Sequence, residues 1–232
     1  LYDEALALAP GYTAAVLGKA EAYRMMRRYD DFFTIMEEFI SDRDIPEDGK
    51  CQYLQALVQR MDPRMMKTCG ERVERLVSLC VEVCPDNVEA AKTDCMLRGG
   101  SGNLEELADA AHRYVAKFPE DKDFLDLAMY ADYNLERYDS VLVLTGKKYE
   151  RAKASGDKAA AVEAYSSLGD IYHQLGQSRK AYRIYKGVLK MDPDHLMTLN
   201  NYAYFLSEAG KDLKNARKMS QKTIAILLFY MK

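Results

Sequence analysis

Val162–Pro193 reads VEAYSSLGDIYHQLGQSRKAYRIYKGVLKMDP. Tyr165, Leu168, Gly169 and Tyr172 stand at offsets of three, one and three; Ala181 follows nine residues on, Tyr185 four after that, and Pro193 closes the stretch. Ala181, Ile184, Tyr185, Val188 and Leu189 fall at i, i+3, i+4, i+7 and i+8, an apolar stripe along one helix face. Gly176 separates this helix from an earlier one carrying Tyr165 to Tyr172. The stretch is a helical hairpin whose apolar face cannot be buried by the hairpin alone, so neighbours of the same kind are required.

The prolines supply those neighbours. They fall at 10, 46, 63, 85, 119 and 193; with Pro63 set aside the intervals are 36, 39, 34 and 74, the last being twice 37. Proline cannot continue a helix, so such intervals mark junctions between hairpins. Leu76, Leu79, Cys80, Val83 and Cys84 repeat the stripe seen after Ala181. Asp86, with Glu89 three residues on, reads as a helix N-cap with its reciprocal partner. Gly99-Gly100-Ser101-Gly102, Gly156-Asp157 and Gly176 read as turns. No segment alternates with a period of two, and no strand is assigned.

The spacing of Tyr165, Leu168, Gly169, Tyr172, Ala181, Tyr185 and Pro193 resembles the tetratricopeptide repeat (TPR), with Tyr165 in place of Trp and Tyr185 in place of Phe. The resemblance implies an all-α, right-handed α-solenoid, a superhelix of about six hairpins counting truncated ends. One solenoid is expected over 1–232, with units at 1–10 (partial), 11–46, 47–85, 86–119, 120–156, 157–193 and 194–232. Unit 157–193 carries the full signature; the others rest on proline spacing and helical period. Pentatricopeptide repeats are similar in length but bind RNA through basic surfaces, and HEAT-like repeats run longer and lack this signature. The signature and the run Asn200-Asn201-Tyr202-Ala203-Tyr204-Phe205-Leu206 look similar to bacterial TPR proteins, some of which work in the cell envelope.

Bulk composition agrees with a folded repeat protein. Of 232 residues, 48% are hydrophobic and 30% charged. The net charge of −3 gives no electrostatic case for nucleic-acid binding. No run of about 20 apolar residues is present to span a membrane. The chain opens on LYDEALALAP without an initiator Met and reads as a piece of a longer protein. The compartment is left open between cytoplasm and periplasm or cell envelope. At the other end Ile224–Met231 is an apolar run with no polar break, which predicts self-association through this end.

No catalytic centre is expected. His112, His173 and His195 are scattered; Gly100-Ser101-Gly102 follows no strand; Thr145-Gly146-Lys147-Lys148 lacks the upstream glycine of a phosphate loop. Cys80 and Cys84 lie four apart on one helix with Cys95 on the next, a spacing within the range of zinc ligands. The same cysteines sit in an apolar stripe, so they are read as core residues, with no metal and no cofactor expected. The basic clusters around Lys147–Lys158 and Lys211–Lys222 are read as solvated helix faces.

The resemblance implies that ligands lie in a concave groove lined by the first helix of each hairpin. Candidates there are Asp123, Asp126, Tyr130 and Tyr133, then Glu163, Ser166, Asp170 and His173, then Asn200, Tyr204 and Ser207. This surface is acidic with aromatic interruptions. It departs from the lysine, arginine and asparagine clamp with which TPR proteins hold a C-terminal carboxylate. The expected function is a non-catalytic scaffold or adaptor that binds a protein or peptide, here an extended or helical one with basic and apolar residues. The alternative is an accessory repeat domain of a larger enzyme or sensor.

Overall fold

The computed structural model of the chain describes residues 2–9, 11–61 and 63–230. Among the described residues every regular element is an α-helix. In chain order these are α1 (Tyr2–Leu8), α2 (Thr13–Met25), α3 (Tyr29–Ser41), α4 (Glu47–Arg60), α5 (Pro63–Val83), α6 (Val88–Ser101) and α7 (Leu104–Lys117). They are followed by α8 (Lys122–Asn134), α9 (Tyr138–Ser155), α10 (Lys158–Gln174), α11 (Ser178–Met191), α12 (Leu196–Glu208) and α13 (Leu213–Tyr230). The chain divides into two compact units, Leu1–Phe124 and Leu125–Lys232. Leu1, Pro10, Asp62, Met231 and Lys232 lie outside the described residues, and with them the ends of the expected partial first unit and of the apolar C-terminal run.

The turn inside a hairpin repeats more faithfully than the sequence does. Four times a backbone N–H five residues on returns to a carbonyl in the last turn of the first helix: Arg28 to Tyr23, Arg137 to Asp132, Gln177 to Tyr172 and Lys211 to Leu206. This is the six-to-one bond of a Schellman stop, which needs one left-handed residue. Gly176 (φ 70°) and Gly210 (φ 62°) supply it without strain, whereas Arg27 (φ 59°) and Glu136 (φ 57°) adopt it with a side chain. Asp212, also left-handed at φ 43°, absorbs the extra residue of the last turn. The fold therefore tolerates loss of the turn glycine because the closing hydrogen bond still forms.

In the first unit α2 packs on α3, α3 on α5, α4 on both α5 and α6, and α6 on α7. First helices thus stack on first helices and second on second. The core is filled from α3 by Phe32, Phe33, Met36 and Ile40, from α4 by Cys51 and Leu54, and from α5 by Val73, Leu76 and Val77. None of these residues belongs to the repeat signature. Large apolar side chains at helical spacing replace it.

In the second unit α10 packs against α9, α11 and α12, and α12 against α13. Here the signature residues do what their sizes dictate. Tyr185 and Ala181 are fully buried. A β-carbon at Gly169 would stand 2.5 Å from the Tyr185 ring, and one at Gly187 would stand 2.8 Å from the Tyr165 ring. A helix-interior glycine costs about 1 kcal/mol against alanine. Gly169 is retained because α10 and the Tyr185 ring meet at that point. Tyr165 itself stacks on Tyr149 of α9 with centroids 5.0 Å apart.

Two local readings are corrected. The cap of α6 is Asn87, whose side-chain oxygen accepts from the N–H groups of Glu89 and Ala90; Asp86 lies in the preceding turn and pairs with Lys117 at 3.0 Å. Gly99 and Gly100 are helical, and only Gly102 (φ 76°) is left-handed. Gly99 faces Leu107, whose side chain would lie 3.6 Å from an added β-carbon, so it eases the approach of α7 and does not break α6.

Burial of tyrosine hydroxyls gives a pH signature. Tyr53, Tyr114 and Tyr185 are pushed above the ordinary tyrosine range, first by burial, then by the carboxylates of Glu21, Asp94 and Asp170 respectively. A folded-state pKa raised above the unfolded value contributes stability that is complete below about pH 10 and is lost as the pH rises through and beyond it. Urea melts between pH 8 and 11, read by circular dichroism with tyrosinate absorbance, should show stability falling above about pH 10. Tyr185→Phe should make that fall shallower. An identical slope in the variant would remove Tyr185 from the account.

Candidate partner-binding surface

First helices are joined to one another by polar bonds set close to one repeat apart. In the first unit Tyr53 of α4 donates to Glu21 of α2 at 3.2 Å, Gln55 of α4 to Glu89 of α6 at 2.7 Å, and Lys92 of α6 to Asp123 at 2.7 Å. In the second unit Ser166 of α10 meets Thr198 of α12 at 2.7 Å, and Asn201 donates to Asp170 at 3.1 Å. These five partners lie 32, 34, 31, 32 and 31 residues apart. The separation is that of the repeat, so equivalent positions on neighbouring helices face each other.

Most of the residues expected to line the groove on α10 are held by this ladder. Ser166 is buried at 2% exposure, so it is not presented to a partner. Its hydroxyl is small and lies on the side of α10 that α12 covers. Asp170 also accepts from the Tyr185 hydroxyl at 2.7 Å, so one carboxylate ties together α10, α11 and α12. His173 stacks on Phe205 with ring centroids 3.4 Å apart. Glu163 meets His195 Nε2 at 3.1 Å while keeping 68% of its side chain exposed.

His195, unremarkable in the sequence, closes this network. Its Nδ1 accepts from the Thr198 N–H at 3.3 Å and caps α12; it also lies 2.9 Å from Thr198 Oγ1. Accepting through Nδ1 leaves the proton on Nε2, directed at Glu163. The hydroxyl, imidazole and carboxylate are therefore ordered like a nucleophile and its base. Thr198 is fully buried, and its oxygen is already taken by Ser166 and His195. The network works as a staple between α10 and α12.

Other candidates remain open to solvent. The turn-closing carbonyl marks equivalent positions: Tyr130, Asp170 and Tyr204 each precede it by two residues, at Asp132, Tyr172 and Leu206. Tyr130 is 57% exposed and Tyr204 59% exposed, while Asp170 at the same position is spent on the ladder. Tyr133 is exposed and packs edge-on against Tyr138 at 5.7 Å. Asn200 is exposed. Asp126 is exposed and pairs with Lys148 of α9 at 2.6 Å. Asp123 lies at the end of the first unit, where the hydrogen bond from Lys92, and then the charge of that ammonium, hold its carboxyl below the usual range. The sequence supplied no sign of these pairings, since each depends on which helix lies next to which.

A separate cavity of about 360 Å³ opens between α5, α6 and α7, lined by Ser78, Val81, Glu82, Asp94, Arg98 and Tyr114 among others. Its charges are largely internal: Asp94 accepts from Arg98 Nε and from the Tyr114 hydroxyl, each at 2.8 Å. A single tyrosine is not the stacked aromatic lining that a small-molecule groove would need. At the C-terminal end Ile224, Leu227, Leu228, Phe229 and Tyr230 are all exposed on α13. No helix among the described residues is long and apolar enough to cross a membrane.

No protein-family model matches the chain. The uncharacterized protein ycf37 of Pyropia yezoensis is 29% identical over 97 residues, covering 40% of this chain. The match takes in 54% of that relative, so the chain spans about half the length of the curated relative it matches. Among solved structures, YrrB, described as a TPR protein with an unusual peptide-binding site, superimposes with a TM-score of 0.56 at 18% identity, over 86% of this chain and 94% of that one. The TPR-like repeats of a putative kinesin light chain from Podosopora anserina give 0.57 at 12% identity, over 78% and 96%. MamA gives 0.52 at 17% identity, over 71% and 94%. Stacked helical hairpins closed by a left-handed turn, together with these superpositions, show that the chain has the TPR fold.

Proposed function

We propose that the chain is a non-catalytic repeat scaffold that holds a protein or peptide partner on the first helices of its second unit. The observation that carries this reading is the exposure of Tyr130 and Tyr204 at equivalent repeat positions, with Tyr133 beside the first. Rigid tyrosines offer large contact area at low entropic cost and are enriched among residues that dominate binding energy. Asp126, one helical turn before Tyr130, and Glu163 on α10 keep exposed carboxylates, so the favoured partner is a segment with basic and apolar side chains. The peptide-binding site described for YrrB supports the class of ligand.

Selection of peptides from a random library on the whole chain tests the reading. Basic peptides with aromatic or aliphatic anchors should be enriched. Tyr204→Ala should weaken them about tenfold, as expected for an interface tyrosine. Asp126→Lys should weaken binding and flatten its dependence on salt. Asp170 is unsuitable for this test because it holds Tyr185 and Asn201. Selected peptides that bind both variants as tightly as the parent chain would place the surface elsewhere.

A further inference from the structure

The tertiary structure gathers three cysteines that the sequence leaves in different places. Cys51 lies on α4, Cys80 on α5, and Cys84 directly after α5, its N–H still bonded to the Cys80 carbonyl. Their three sulfurs lie within 4.8 Å of one another, and the Cys51 and Cys80 sulfurs are 3.6 Å apart. Cys95, on the helix that follows Cys80 and Cys84, is buried on α6 outside this group. The missing member was Cys51, 29 residues before Cys80.

The geometry points to a thiolate site for a soft divalent cation, Zn²⁺ or Cd²⁺, formed by Cys51, Cys80 and Cys84. Zn–S bonds of about 2.3 Å place sulfurs roughly 3.8 to 4.0 Å apart in tetrahedral or trigonal sites. The observed spread brackets that range, so small side-chain rotations suffice. The charge balance supports it independently. Lys50, next to Cys51, is only 2% exposed, and no described carboxylate pairs with it. A divalent ion with three thiolates carries one negative charge, which Lys50 neutralises.

Protonated thiols do not bind the ion, so the step is M²⁺ plus three S–H giving M(S)₃⁻ plus three H⁺. The protons leave to buffer and no electrons move. Asn87, three residues after Cys84, donates to Asp48, three residues before Cys51, at 2.9 Å. That exposed bond ties the first turn of α4 to the turn beside Cys84.

The test titrates the reduced full chain with Cd²⁺ and follows the ultraviolet thiolate-to-cadmium charge-transfer band. One equivalent should saturate it, a chelator should reverse it, and affinity should rise steeply with pH. Three of the five thiols should become protected from alkylation. Cys84→Ala should weaken binding by about 100-fold or more and Lys50→Met by about tenfold, the range seen when metal-site groups are removed. Cys69→Ser and Cys95→Ser should leave it unchanged. If Cys84→Ala does not fold, the parent titration and the Cys69 and Cys95 variants decide alone. Absence of a saturable one-equivalent band, or its loss in the Cys69 or Cys95 variant with that variant folded, overturns the site.

Discussion

Gly169→Val is expected to destabilise the second unit by about 3 kcal/mol, at the upper end of overpacking effects. The β-carbon alone would enter the Tyr185 ring at 2.5 Å, and valine adds two methyl groups. The ring cannot withdraw. It is fully buried, its hydroxyl is bonded to Asp170, and Tyr202 and Phe205 pack around it at centroid distances of 5.4 and 6.3 Å. Tyr185→Ala should cost about 3–5 kcal/mol for the opposite reason, a cavity. The two changes meet at one contact, so together they should cost much less than their sum. Urea midpoints, with hydrogen exchange of α10 and α11 amides, measure all three proteins. Additive losses would show that Gly169 is not there to admit the ring.

Phe33→Ala should destabilise the first unit by about 3–5 kcal/mol, although no signature motif marks that position. Phe33 is fully buried, meets Phe32 edge-on at 5.0 Å, and carries the Arg72 guanidinium 4.6 Å from its ring centre. Arg72 in turn pairs with Asp30. Truncation therefore removes apolar burial and the surface on which Arg72 is laid. Phe229→Ala, at a ring 76% exposed on α13, is the matched control and should change stability by less than about 0.5 kcal/mol. Equal losses at the two positions, measured by chemical denaturation, would overturn this description of the core.

The contrast between the two units shows how legible the fold was. Around Gly169 and Tyr185 the pattern could be read because the packing device is local: a small residue on one helix and an aromatic ring sixteen residues later on its hairpin partner. In the first unit the same hairpins are built from Phe32, Phe33, Met36 and Ile40, and only proline spacing and helical period announced them. The closing turn explains why this works. Arg27 and Glu136 take the left-handed conformation that Gly176 takes, so the backbone bond persists where the turn glycine is absent.

The candidate surface was less legible. Glu163, Ser166, Asp170 and His173 follow one another on a helix face and read as a continuous lining. Three of them are engaged by His195, which caps α12, and by Asn201 and Phe205 within it, and Ser166 is buried against Thr198. A polar residue on a first helix looks the same in sequence whether it meets water or the next repeat.

What the sequence determined alone was the helical hairpin and its repetition. Amphipathic period, turn glycines and prolines act within about 34 residues, over which the chain's own stereochemistry dictates the outcome. What only the tertiary structure decided was which side chains are spent between repeats and which remain exposed. It also decided that Cys51 joins Cys80, 29 residues away, and Cys84, beside the buried side chain of Lys50. Those contacts follow from the register of one helix on another, and that register is settled by the packing of whole cores.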